Sequence, residues 1–342
     1  MRVCIFGAGA IGGFLAHGLA QVDGIELSIM ARGDHLKTIL EKGIALVRDR
    51  EATVFPVTRG SHDPAELGEQ DVVFNCLKSH QAWQSAESMA PLLGKDTAVV
   101  TCQNGVPWWY FHNVGGEFEG KRMDAVDRDD RQWNAIGPER AIGCSVYPAT
   151  EISAPGVITH IYGDKFALGE PDGSASERVT RISELLEAGG FKAPVLDDIR
   201  SEIWLKLWGN LCFNPISALT RATLDVVATD PGSRAVAKAM MEEGQKIGEG
   251  LGASFRVDIE RRINGAARVG AHRTSMLQDL EAGKAMEIDA LVTAVKEMGE
   301  IVGVPTPNLN TVLALVQQLG RVHNLYPTYP EDPPAEEEAL EA

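Results

Sequence analysis

The chain has 342 residues and a formal net charge of −16, with 44% hydrophobic and 23% charged residues. That length predicts two domains, each with its own core. Such an acidic balance excludes nucleic acid as an expected partner, because phosphate binding needs a basic surface. No apolar run approaches the ~20 residues of a membrane span.

The first residues already read as a strand, so no signal peptide is expected. The five cysteines lack CxxC spacing and sit in apolar segments, which reads as buried free thiols of a cytoplasmic protein.

The opening stretch MRVCIFGAGAIGGFLAHGLA predicts an apolar strand, a turn over Gly7, Ala8, Gly9, Ala10, Ile11 and Gly12, and then an amphipathic helix. In that setting Gly7 permits the tight turn and Gly9 lets the backbone approach a pyrophosphate. Gly12 lets helix and strand pack closely, with the phosphates at the helix amino terminus. The bland alternative is a glycine-rich turn that holds no ligand.

The second strand, IELSIMAR, ends on Arg32, where an NAD site usually carries an acid for the ribose 2′-hydroxyl. A guanidinium suits a 2′-phosphate, so NADP(H) is the expected cofactor. The alternative is a solvated arginine at a strand end.

Strands DVVFNCLKS and TAVVTCQNGV follow and place Lys78 and Asn104 at carboxyl ends, where ligands bind in open α/β sheets. AIGCSVYPA predicts another strand, and GVITHIYGDKFALGE a hairpin turning at Gly163 and Asp164. Residues 106–138 hold no sustained period and read as an irregular insertion. Its aromatics Trp108, Trp109 and Tyr110 either cover the site or pack on the domain surface or a second subunit.

From about residue 198 to about 326 the pattern is helical throughout. The fold class is therefore α/β: a Rossmann-type doubly wound sheet over 1–197, then an all-helical C-terminal domain over 198–326. Residues 327–342, rich in Pro and Glu, read as an acidic disordered tail.

The helix EIWLKLWGNLCFNP is apolar or small on every side except one row, formed by Glu202, Lys206, Asn210 and Asn214. Buried polar groups need partners, so the row is expected to line the cleft between the domains, a preferred place for small-molecule sites. Glu202, in the first turn, is read as structural.

Taken together, GAGAIG, CLKSHQ, QNG, EIWLKLWGNLCFNP and TSMLQDLEAGKAMEID resemble the ketopantoate reductase (2-dehydropantoate 2-reductase) family. The resemblance covers nearly the whole chain apart from the insertion and the tail. It implies NADPH-dependent reduction of a 2-oxo acid, ketopantoate, to the 2-hydroxy acid pantoate in pantothenate biosynthesis.

By position it makes Lys206 the proton donor and Asn210 and Asn214 substrate contacts. Ser275 falls at the substrate carboxylate, and Glu287 beside both the lysine and the nicotinamide ribose. Gly7 to Gly12, Arg32, Lys78, Asn104 and Ala149 become NADP contacts, with Asn104 also facing substrate. No metal is implied.

The family's further asparagine is replaced by Leu224, with Thr223 beside it as a candidate substitute. That departure keeps open a reductase of another 2-oxo acid or small ketone. A non-catalytic NADP(H)-binding regulator is a second alternative. A homodimer is one arrangement the sequence permits.

Overall fold

The structure is a computed structural model that describes residues 1–326. The expected acidic tail, 327–342, lies outside the described residues.

The first half is built on a seven-stranded sheet. In chain order it contains β1 (Arg2–Phe6), α1 (Ala10–Leu19), β2 (Glu26–Met30), α2 (Gly33–Lys42), β3 (Ile44–Arg48), β4 (Glu51–Phe55), β5 (Arg59–Ser61) and β6 (Gln70–Asn75). There follow α3 (Ser79–Gln84), β7 (Leu93–Thr101), α4 (Arg131–Ala135), β8 (Ala141–Val146), β9 (Ala149–Ala154), β10 (Val157–Tyr162), β11 (Phe166–Gly169) and α5 (Glu177–Ala188).

The main sheet has the order β11-β8-β7-β6-β1-β2-β5, parallel except for β11. Within it β1 pairs with β2 on one side and β6 on the other. The strand order reverses there and opens a crevice at the carboxyl ends, the usual place for a ligand in such sheets. Val3, Cys4, Ile5 and Phe6 are all buried, as a strand covered on both faces requires.

A second sheet, β4-β3-β10-β9, packs against α1. Gly13 allows the close approach, since a Cβ there would stand 2.6 Å from the Ile158 side chain. This sheet overturns the expected hairpin. β10 pairs with β3 and β9, whereas β11 pairs with β8 in the main sheet. Alternation identifies a strand but not its partner, and the chain changes sheets at Gly163, which takes φ +75°.

The insertion is neither an exposed cover nor an open surface patch. Trp108, Trp109, Tyr110 and Phe111 are all buried in a core shared with the helical half. Trp109 Nε1 donates to Thr101 Oγ1 at 3.0 Å, and Trp204 Nε1 donates to the Tyr110 hydroxyl at 2.8 Å. The aromatics form a wedge that joins the two halves.

The second half contains α6 (Ile199–Thr220), α7 (Leu224–Thr229), α8 (Pro231–Gly250), α9 (Ile259–Val269), α10 (Ser275–Glu281), α11 (Ala294–Val302) and α12 (Pro307–Val322). Helix α6 is its axis and touches α7, α8, α9, α10 and α12, as well as β8 and β11 of the first half. Asp198 caps it by accepting from Ser201 N at 2.9 Å, and Arg221, left-handed at φ +59°, ends it. Its apolar sides, including Trp204, Leu207, Trp208, Leu211 and Cys212, are buried. Among the described residues no helix is long and apolar enough to cross a membrane.

Candidate active site

The glycine turn has the shape a pyrophosphate needs. Gly7 takes φ +96°, and a Cβ there would stand 2.6 Å from the Leu77 side chain. At Gly12 a Cβ would collide with the Gly7 carbonyl, so helix and strand close only because it is glycine. Gly9 differs: nothing lies within 4 Å of the Cβ position, so this face of the turn is open.

Gly9 also caps α1 with no side-chain bond, and no acid sits in the first turn. No side chain caps the first turn, so its amino end suits an anion, with the helix dipole favouring negative charge. Arg32 is exposed at the end of β2, where it caps α2. The glycine turn fits the pyrophosphate of a dinucleotide.

Lys78 caps α3 and is drawn across to the helical half. Its Nζ lies 2.6 Å from Asp279 Oδ2 and donates to the Ala285 carbonyl at 3.1 Å. Burial pushes the Asp279 carboxyl above its ordinary range, and the Lys78 ammonium pulls against that. Next to it His80 is driven down to about 4 by burial and by the same ammonium, so its ring is neutral. Ala149 opens the edge strand β9 of the second sheet.

Lys206 projects from α6 toward the carboxyl edge of the main sheet. Its ammonium donates to Asn104 Oδ1 at 2.6 Å and to the Val146 carbonyl at the end of β8. Those two bonds leave one proton of the –NH₃⁺ group for a third acceptor. Burial pushes the Lys206 pKa down to about 8, while Cys144, Glu287 and Cys102 act in the opposite direction.

Glu287 is buried in the segment after α10. It accepts from Asn104 Nδ2 and from Ser79 N, each at 3.4 Å. Asn104 is therefore bonded to the lysine through its oxygen and to the acid through its nitrogen.

A small recess opens here, lined by Asn104, Lys206, Asn210, Ile203, Ser145 and Gln103. Further along the stripe Asn214 Nδ2 donates to Ser275 Oγ at 3.3 Å, and Ser275 is exposed as the first residue of α10. Asn104, Lys206, Asn210 and Glu287 thus meet at one place, and Asn214 with Ser275 extends the polar floor. Glu202 is turned aside: it accepts from the Tyr147 hydroxyl at 2.8 Å and from Lys165 Nζ at 2.7 Å.

Two features were not foreseen. Thr223 does not offer its hydroxyl in place of the missing amide, because Oγ1 is bonded to Asp225 Oδ1 at 2.5 Å. Gln103 lines the recess with its Nε2 sealed from solvent and unpartnered. Its only sequence signal is its place beside Asn104 in the QNG turn.

Comparison with known proteins agrees with this geometry. Residues 3–108 match the family described as ketopantoate reductase PanE/ApbA, and residues 198–320 match its C-terminal counterpart. The 2-dehydropantoate 2-reductase of Mesorhizobium japonicum is 55% identical over 326 residues, covering 95% of this chain and 100% of that one. A solved structure from Ralstonia solanacearum, assigned as a ketopantoate reductase, superposes with a TM-score of 0.90 at 41% identity, covering 95% of this chain and 99% of that one. A PanE/ApbA family ketopantoate reductase from Ralstonia eutropha gives 0.80 at 26% identity, covering 95% and 100%. With a glycine cradle, a cleft lysine and both halves matched, this chain belongs to the ketopantoate reductase family.

Proposed function

We propose that the chain reduces ketopantoate to pantoate with NADPH, and that Lys206 is the proton donor. The observation that carries this reading is the ammonium of Lys206, buried in the cleft with two of its protons committed to Asn104 and Val146. The hydride is the chemistry that NADPH supplies when bound at the glycine turn.

As a ketone becomes an alkoxide, negative charge grows on its oxygen. A cation held in a low-dielectric cleft stabilises that charge and delivers the proton. Burial lowers the Lys206 pKa toward working pH, which makes the proton easier to give, while Glu287 favours the charged form that must be present beforehand.

The other residues orient. Asn104 fixes the direction of the ammonium, and Glu287 fixes Asn104. Asn210, Asn214 and Ser275 offer amide and hydroxyl groups that suit the hydroxyl and carboxylate of a small polar acid. Gly7 to Gly12 and the amino terminus of α1 would hold the pyrophosphate, and Arg32 the 2′-phosphate, which selects NADP(H) over NAD(H). Lys78 would have to exchange Asp279 for the cofactor to serve as a contact. Five free thiols, four of them buried, support a reducing cytoplasm as the setting.

The test is NADPH oxidation with ketopantoate beside a panel of other 2-oxo acids, ranked by kcat/KM. Ketopantoate is expected to lead. A different acid in first place would favour the reading in which the substrate has shifted, which the loss of the amide at Leu224 and the engagement of Thr223 support. NADPH binding with no oxidation across the panel would favour a regulator.

A further inference from the structure

The turn after β7, Gln103-Asn104-Gly105, is held at every residue but its first side chain. Gly105 takes φ +91°, and a Cβ there would collide with the Ala290 carbonyl, so the turn lies close against the helical half. Val106 N donates to that same carbonyl at 2.9 Å. The Asn104 amide is spent on Lys206 and Glu287. Gln103 is left over: its Nε2 is sealed from solvent and makes no hydrogen bond.

Gln103 shares the wall of the recess with Lys206 and Asn210, and Ile203, Leu207 and Cys144 belong to the same lining. The recess measures about 10 Å³, room for one oxygen-sized group. It suits the tip of a ketone, while the body of an acid would lie outside it, toward Asn214 and Ser275.

Two acceptors beside the recess, Asn104 Oδ1 and the Val146 carbonyl, already take protons of Lys206. A buried donor without an acceptor is costly, and water cannot relieve one that solvent does not reach. In a reaction cleft such a donor has a use when the substrate brings the missing acceptor.

We propose that Gln103 is the second donor to the ketone oxygen of the substrate, forming with Lys206 a two-point oxyanion site. The assignment rests on the reductase reading and fills a role it leaves open. Asn210, Asn214 and Ser275 serve the hydroxyl and carboxylate, whereas the reacting oxygen has only Lys206. As the carbonyl carbon takes the hydride, the π pair of the C=O bond moves onto oxygen. Lys206 gives that oxygen its proton, and the Gln103 N–H holds it by a hydrogen bond that strengthens as charge grows. The last torsion of a glutamine has broad wells, so a rotation there swings Nε2 from its sealed place onto the oxygen. Apolar walls make such a donor worth more than it would be in water. Being neutral, the amide leaves the lysine's titration alone, whereas a second cation would lower its pKa further.

The test is steady-state NADPH oxidation with ketopantoate in the wild type, Gln103→Met and Gln103→Glu, beside fluorescence titration with NADPH. Methionine keeps the length and removes the donor. Glutamate keeps the shape, removes the donor, and serves as the second variant if the first fails to fold. An interaction made mainly in the transition state lowers kcat and kcat/KM together. In Gln103→Met, kcat is expected to fall on the order of 10- to 100-fold, with KM within about threefold. NADPH affinity should not move, and the decline of kcat/KM near pH 8, set by Lys206, should stay in place. In Gln103→Glu, kcat should drop as well, and the new carboxylate should shift that decline to higher pH.

A kcat within about threefold of wild type in either variant overturns the proposal and leaves the reductase reading intact. A loss of NADPH affinity in Gln103→Met overturns it in favour of a cofactor contact. A displaced pH decline in the same variant overturns it in favour of a structural prop for Lys206. A decline unmoved in Gln103→Glu puts the side chain away from the lysine and overturns it too. A wild type that oxidises NADPH with no 2-oxo acid sinks the reductase reading, and the oxyanion role with it. If another acid leads the panel, the comparison is made with that acid.

Discussion

Lys206 donates to Asn104 Oδ1 at 2.6 Å, and the nitrogen of the same amide reaches Glu287 at 3.4 Å. Asn104 follows β7 in the sheet half, while the other two belong to the helical half. One side-chain amide therefore fixes the cation, reads the acid and spans the cleft. Asp at this position would keep an acceptor for the lysine but face Glu287 with a like charge.

Lys206→Met is expected to lower kcat by roughly a hundred- to ten-thousandfold while NADPH affinity is unchanged. The wild-type pH profile should show the same group. Lysine is active in its charged form and its pKa lies at about 8. The value of kcat/KM should accordingly hold on the acid side and fall as pH rises through that value. Near-normal turnover in Lys206→Met, or a profile flat to about pH 10, removes lysine from the proton-donor role.

Arg32→Asp should weaken NADPH by roughly ten- to a hundredfold, the loss of charge-assisted bonds to a phosphate, and leave NADH nearly unchanged. Fluorescence titration with each dinucleotide measures it. An unaltered NADPH-to-NADH ratio would leave Arg32 as a solvated strand-end residue.

The aromatic wedge predicts a stability phenotype. Trp109 is fully buried with its indole nitrogen bonded to Thr101. Trp109→Ala should cost about 3–5 kcal/mol, read by urea unfolding. Gly143→Ala should also destabilise, because its Cβ would stand 2.9 Å from the Trp109 ring and 2.7 Å from Ile199. A mobile cover would instead give unaltered unfolding and altered turnover.

The contact between insertion and α11 should be pH-dependent. Glu297 accepts from Ala125 N at 3.1 Å, and burial raises its carboxyl to about 7 against an ordinary 4.5. The folded state then binds the proton more tightly than the unfolded state, so stability falls as pH rises from about 4.5 through about 7. Glu297→Gln, permanently neutral, lacks this loss. Its melting temperature relative to wild type should be higher above pH 7 than near pH 5, and an equal offset at both would refute the assignment.

The local features of the site were legible in the sequence. The glycine turn declares itself because its conformations admit few residues, and the row from Lys206 to Asn214 because a helix spaces it regularly. What escaped depended on distant partners. β3 finds β10 across most of the first half, so neither strand's own pattern says which sheet it joins. The residues from Val106 onward lack a period because they fill an irregular gap between two domains with side chains from short turns.

The division of the site between the halves carries an evolutionary consequence. The glycine turn lies in the first half, whereas Lys206, Asn210, Asn214 and Ser275 stand on α6 and α10 of the second. Mutations in those helices can redraw the range of acceptable molecules while the redox half is inherited intact. Divergence within such a lineage is therefore expected to run through specificity first, with the hydride step as the trait that descends unchanged.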